Sequence, residues 1–281
     1  MKIPERLKET HKGDYGHLLV LGGSTGLTGA VCLTANAALR SGCGLVTVGI
    51  PESLNDILEV KLTEAMSLPL PETATRTFSK QAVKPCLKFI NEKVDGIVIG
   101  PGISTNIETA DFVKQVIMQA GKPVVIDADA LKIVSEEKDI LKNLKFGSIL
   151  TPHPGEMGYL TSLKTHNIQK CREKVGRDFA KENSTVVVLK GARTIVTDGQ
   201  QLYVNLTGNP GMASAGSGDV LAGIIGSFLV QGLDYFEAGK LGVYIHGLAG
   251  DFATKEKGEI SLIASDIIEY LPVAFGFIKN I

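Results

Sequence analysis

Six short runs of apolar, mostly β-branched residues punctuate the chain, at 17–21, 45–50, 96–99, 123–126, 148–150 and 185–189. Runs this short and this continuously apolar are read as strands buried on both faces, because a half-exposed strand alternates apolar with polar positions. Helical patterns fill the gaps between most of them, as at 28–41 and 106–119. Strand alternating with helix predicts an α/β fold whose mostly parallel central sheet is covered on both sides. Ligands of such folds gather beyond the carboxyl ends of the strands, so the segments just after each run are the ones placed to meet one.

The pattern changes after residue 189. Two β-like segments, 194–197 and 201–205, flank Asp198-Gly199, a dipeptide suited to a tight hairpin, and predict an antiparallel edge. Three helices are expected beyond it, at 216–229, 235–255 and 264–277, with a Gly-rich loop ahead of the first. With no internal repeat or linker in view, the expectation is one domain over 1–281, long enough to bury a sizeable core.

Charge narrows the partners. Twenty-nine basic residues against 30 acidic ones leave a net charge of −1, which creates no field to recruit nucleic acid or an anionic membrane surface. A small molecule is the expected ligand. Cys32, Cys43, Cys86 and Cys171 have neither disulfide-framework nor metal-ligand spacing, which fits a reducing, cytoplasmic setting. The first residues, MKIPERLKETHKGDYG, lack the apolar stretch of a signal peptide, and no window offers the roughly 18 apolar residues of a membrane span.

The segment most informative about chemistry is 208–223, GNPGMASAGSGDVLAG. Small residues at Ala215, Gly216, Ser217 and Gly218 let the backbone approach a ligand, and leave amide N–H groups at a helix start free to face an anion. Asp219 is unexpected there, since a carboxylate beside phosphate repels it unless its purpose is to accept a proton. A lone Gly-x-Gly-Asp is better read as an ordinary acidic residue in a helix's first turn.

The whole stretch, however, resembles the signature of ribokinase-like enzymes, in which an anion hole precedes a catalytic Asp. Further motifs follow in order: Lys12-Gly13-Asp14-Tyr15-Gly16-His17, Val20-Leu21-Gly22-Gly23-Ser24, Ala37-Ala38-Leu39-Arg40-Ser41-Gly42-Cys43-Gly44 and Ile99-Gly100-Pro101-Gly102. They continue through Asp127-Ala128-Asp129-Ala130-Leu131, Thr151-Pro152-His153-Pro154-Gly155-Glu156-Met157 and Lys190-Gly191-Ala192-Arg193-Thr194. From about Lys12 to the C-terminus the chain is similar to the ADP- or ATP-dependent NAD(P)H-hydrate dehydratases. The resemblance implies a ribokinase-like three-layer α/β/α sandwich and repair of hydrated NADH and NADPH (NADHX and NADPHX). Ser214 and Ser217 stand where many members carry Thr, a change that keeps the hydroxyl.

Carried onto this sequence, the resemblance implies Asp219 as catalytic base facing the substrate, and Gly216, Ser217 and Gly218 as the anion hole. Ala38, Gly102 and His153 are implied at the substrate, and Lys190, Gly191, Ala192, Arg193, Thr194 and Gly218 at the adenine nucleotide. Asp127 and Asp129 are implied near the substrate and metal region. The implied co-substrate is ADP or ATP with Mg²⁺, and the implied assembly a homotetramer. No dedicated protein cage for the ion is visible, as suits a cation held mainly by phosphate and water.

Each piece also has a plainer meaning. Gly100-Pro101-Gly102 suits a rigid turn, His153 between two prolines a structural role, and Lys190-Gly191 an exposed turn. Two other functions stay open: a kinase of the same fold acting on a vitamin-precursor alcohol through Asp219, and a nucleotide sensor without turnover.

Overall fold

The apolar runs all enter one sheet. The computed structural model describes residues 3–137, 139–144 and 146–279. Among them lie strands β1 (His17–Leu21), β2 (Leu45–Pro51), β3 (Met66–Leu70), β4 (Gly96–Ile99), β5 (Val124–Ile126), β6 (Ser148–Leu150), β7 (Val186–Leu189), β8 (Ile195–Thr197) and β9 (Leu202–Val204). Their order is β3-β2-β1-β4-β5-β6-β7-β8-β9. Pairing is parallel from β3 to β7 and antiparallel across β7-β8-β9, as the hairpin dipeptide predicts. Only β3 was not foreseen. It holds Pro69 and is half-exposed, both of which an edge strand tolerates and a central one does not.

The helices, in chain order, are α1 (Thr28–Arg40), α2 (Asn55–Lys61), α3 (Val83–Lys93), α4 (Ile107–Gln119), α5 (Asp129–Ser135), α6 (Asp139–Lys142), α7 (Pro154–Thr161), α8 (Thr165–Lys170), α9 (Arg172–Asn183), α10 (Ser217–Val230), α11 (Tyr235–Lys257) and α12 (Ala264–Lys279). Successive strand residues face opposite ways and feed two cores. Leu18, Val20, Val98, Val125 and Val188 pack with α1, α10, α11 and α12. Leu19, Leu21, Ile97, Ile99 and Leu189 pack with α3, α4, α5, α7 and α9 on the other face. The result is a three-layer α/β/α sandwich.

Two features of this arrangement position the cleft. The strand order reverses at β1 and β4, so the loops leaving their carboxyl ends diverge and open a crevice. Helix α10 covers the sheet behind that crevice. It is apolar nearly all round, with Val220 to Leu229 buried, and so belongs between layers rather than on the surface. It lies close enough to α1 that a Cβ on Gly223 would collide with the Thr34 carbonyl oxygen.

Gly223→Ala therefore forces α1 and α10 apart. The expected loss is about 2 kcal/mol, overpacking strain outweighing the better helix propensity of Ala. Urea denaturation of the variant should show a lower midpoint with little change in slope.

Candidate active site

The cleft is lined by the segments that follow β1, β4, β5, β6 and β7, closed on one side by the start of α10. Gly216 is the N-cap of α10 and sits at φ +90, the left-handed region that a side chain disfavours. This turn presents the first amides of α10, which have no partner within the helix, toward the crevice. Asp219 is the third residue of the helix, and the Thr34 hydroxyl, 3.1 Å from its carbonyl oxygen, ties this turn to α1.

Lys190 leaves the end of β7 and points back into the cleft. Its Nζ lies 2.9 Å from Asp127 Oδ1 and 3.6 Å from Glu156 Oε2. A side chain built on Gly218 would meet the same Nζ at 3.3 Å, so the ammonium stands directly against the turn carrying the anion-hole amides. Burial by itself lowers a lysine pKa, but Asp127 and Glu156 outweigh it, and Lys190 is held above its ordinary value and charged. Asp127 is buried at the end of β5 and also accepts from the Thr151 hydroxyl at 2.6 Å. The partner that a carboxylate at a strand end requires is therefore a lysine 63 residues away.

Asp219 is left with less compensation. Burial, then the neighbouring Asp127, push its carboxyl up; Lys190 opposes them only in part, and Glu156 and Asp129 add to the rise, bringing it to about 7. A carboxyl shifted this far can both accept and release a proton near neutrality. Behind the anion hole stands a residue without a sequence signal, His246 of α11. Its Nε2 lies 3.0 Å from the Ser217 carbonyl and 3.3 Å from the Ser217 hydroxyl. Burial pushes this imidazole down to about 4, so at neutral pH it is uncharged and donates to the carbonyl.

The structure brings together Asp219, Gly216, Ser217, Gly218 and Lys190 from the expected set. Gly191, Ala192 and Arg193 form the exposed turn after β7, and Thr194 closes it by donating to the Gly191 carbonyl at 2.9 Å. Lys190 is not the exposed turn residue that its context alone suggested, since its side chain is only 18% exposed. Gly102, at φ +60, packs its turn against Leu27, and its carbonyl accepts from the Ser24 hydroxyl at 2.8 Å. His153 is the N-cap of α7: Nδ1 accepts from the Gly155 and Glu156 amides at 3.0 and 3.2 Å. Glu156 answers by accepting from the His153 amide, completing a capping box. The other ring nitrogen, Nε2, lies 3.4 Å from Glu156 Oε1, and the imidazole is otherwise half-exposed.

Ala38, expected as a wall of the substrate pocket, is fully buried in the core shared by α1 and α10. It sits one turn along α1 from Thr34, where its methyl serves helix packing.

The family model described as NAD(P)H-hydrate dehydratase matches residues 18–273. The chain belongs to the NAD(P)H-hydrate dehydratase family. It is 45% identical over 273 residues to the bifunctional NAD(P)H-hydrate repair enzyme Nnr of Moorella thermoacetica, a match covering 96% of this chain and 51% of that protein. The chain thus spans about half the length of the bifunctional relatives it matches. It is 37% identical over 268 residues to the ADP-dependent (S)-NAD(P)H-hydrate dehydratase of Neisseria meningitidis, covering 93% of this chain and 86% of that one. Among solved structures, the ADP/ATP-dependent NAD(P)H-hydrate dehydratase of Bacillus subtilis, co-crystallized with ATP/Mg²⁺, superposes with a TM-score of 0.83 at 31% identity, covering 97% and 93%. The ribokinase-like architecture expected of the family is the one observed.

Removing the cation at the centre of the cleft tests its electrostatics. Lys190→Met strands Asp127, whose side chain is 2% exposed, without its counter-ion. The expected cost is about 3 kcal/mol of stability at neutral pH, and the double variant with Asp127→Asn should recover most of it. Chemical denaturation of the single and double variants checks the coupling.

Proposed function

We propose that this protein dehydrates the S form of NADHX and NADPHX to NADH and NADPH, consuming ADP, with ATP as the alternative donor, and releasing AMP or ADP and phosphate. The observation that carries the reading is Asp219: a carboxyl shifted to about 7, in the first turn of a helix whose N-terminus faces the same cleft. Family membership and the names of the Neisseria and Bacillus relatives supply the substrate.

The chemical difficulty is that hydroxide leaves poorly from the carbon beside the ring nitrogen. In the proposed course Asp219 accepts the proton of that hydroxyl, and the oxygen attacks the terminal phosphorus of the nucleotide, breaking the phosphoanhydride bond so that AMP, or ADP from ATP, leaves. The amides of Gly216, Ser217 and Gly218 and the Lys190 ammonium face the charge of the transferring phosphoryl group. The C–O bond then breaks with the ring nitrogen's electron pair pushing phosphate out. Loss of a proton from the adjacent ring carbon restores the reduced nicotinamide.

Lys190 to Thr194 form the proposed nucleotide side of the cleft, and Gly102 with the exposed edge of His153 the proposed substrate side. Mg²⁺ is read as entering with the nucleotide, whose phosphate charge it neutralises. Among the described residues no group of three His, Cys, Asp or Glu side chains is arranged to hold an ion, and Asp127 and Glu156 already face Lys190. That donor set suits a cation bound mostly by phosphate and water. A cytoplasmic homotetramer completes the reading. Four free cysteines support the compartment, and exposed Ile260, Ile263, Val273 and Phe277 give assembly an apolar surface. No helix among the described residues is long and apolar enough to cross a membrane.

Absorbance at 340 nm, followed with NADHX, Mg²⁺ and either ADP, ATP or no nucleotide, tests the activity. A nucleotide-dependent rise is expected, fastest with ADP; a stable phosphorylated alcohol in its place would turn the assignment to a kinase. Asp219→Asn should lower turnover about a thousandfold with nucleotide affinity preserved. Because the ionised carboxylate is the active form, kcat/KM should fall as pH drops below about 7. A flat profile from pH 5 to 8, or an active Asn variant, would reject Asp219 as the base.

A further inference from the structure

Helix α9 begins beneath the turn that follows β7, and its first residue, Arg172, reaches up into that turn. Nη1 donates to the Ala192 carbonyl at 2.6 Å, while Nη2 lies 2.8 Å from the Leu189 carbonyl and 3.2 Å from that of Lys190. Three carbonyls of one turn thus converge on a single planar guanidinium. An ammonium, a point charge on a flexible stem, does not reproduce that fork.

The setting of Arg172 is unusual for a merely fastening residue. It is partly buried, and burial draws its pKa below the ordinary arginine value, with no carboxylate among the described residues offsetting the effect. Its Nε is enclosed and has no hydrogen-bond partner. A desolvated cation without a counter-ion costs free energy. The chain keeps this one where backbone geometry is most demanding: Gly191 at φ +136, with Nη2 only 3.2 Å from where its Cβ would stand. The same turn delivers Lys190 into the cleft, so whatever sets the carbonyls at 189, 190 and 192 also sets the direction of that ammonium.

We infer that Arg172 is a positioning residue of the nucleotide site, its guanidinium fixing the turn 189–192 and supplying an unpaired positive charge that an anionic adenine nucleotide offsets. This rests on the nucleotide reading of the cleft given above. Geometry and charge make separable demands. Arg172→Lys keeps a cation and loses the fork; Arg172→Gln loses both.

The test is isothermal titration of ADP and of AMP into wild type, R172K and R172Q, alongside steady-state kinetics and thermal unfolding of the same proteins. R172Q is expected to bind both nucleotides about tenfold or more weakly, and R172K to fall between. At saturating ADP the KM for the hydrate should stay within about threefold of wild type, because the fork touches nothing on the substrate side, while kcat should fall less than nucleotide affinity does, through the altered aim of Lys190. Wild-type nucleotide affinity in folded R172Q overturns the inference. So does a loss shared equally by nucleotide affinity, hydrate KM and kcat, which would mark a general structural role. Should R172Q fail to fold, R172K decides: weaker ADP and AMP binding supports the inference, and unchanged affinity rejects it. A wild-type protein that binds no adenine nucleotide at all would overturn the underlying nucleotide reading together with it.

Discussion

The close approach of α10 to α1 is the contact on which the ligand-binding edge depends. Both helices lie on the same face of the sheet, beside the β1–β4 reversal where parallel strands leave a crevice. Had α10 stood off by the thickness of a methyl group, its first turn would still be helical but would no longer face the strand ends. Small residues along the seam, Gly223 above all, permit the approach. The helix dipole and the unpartnered amides are generic to any helix start. This seam makes them local, by aiming them at one point between β1, β4, β5 and β7.

Charge at that point is balanced by geometry rather than by count. Asp127, Glu156 and Asp129 all act on Asp219, and Lys190 is the cation among them. Lys190 spends its contact on Asp127 and Glu156, which it touches, and reaches Asp219 only through space. One carboxyl is therefore left under-compensated, and its affinity for a proton rises. A base whose pKa lies near the working pH follows from burial and the neighbouring carboxylates, which the tethered lysine offsets only in part. Gly218 faces the same ammonium, with only 3.3 Å between Lys190 Nζ and the place a Cβ would take.

Much of this was legible in the sequence because it rests on local rules. Buried parallel strands need continuous apolar runs, a hairpin needs its Asp-Gly, and an anion-binding turn needs small residues ahead of a helix. Strand β3 escaped notice because Met66-Ser67-Leu68-Pro69-Leu70 breaks the apolar run with a proline that only an edge can hold. The Lys190–Asp127 pair escaped for another reason: 63 residues separate its members, and only the registers β5-β6 and β6-β7 bring the two strand ends together. Arg172 and His246 sit within helical sequence that carries no motif, and their roles emerge only from which carbonyls they reach. Ala38, buried between α1 and α10, shows a different limit. A resemblance places a residue in a segment, but whether its side chain faces the cleft or the core depends on helical phase and on the neighbouring helix.

The supports behind the cleft come from helices that do not themselves border it. Helix α11 satisfies the loop that leads into α10 almost group by group. Asn205 Nδ2 donates to the Val243 carbonyl at 3.1 Å and Thr207 Oγ1 to that of Tyr244 at 3.0 Å. Asp251 accepts from the Gly208 amide and the Asn209 side chain at 2.9 and 3.0 Å. Gly247 and Gly250 leave the space in which Thr207 and Met212 lie against the helix. His246 then reaches past this loop to Ser217 itself. A loop tethered to a rigid helix at several points resists reorganisation when charge develops in front of it, which is the condition under which aligned amides stabilise a transition state most effectively. The glycines of α11, unfavourable for an isolated helix, are thus what allow one long helix to serve as the template for the anion-binding turn.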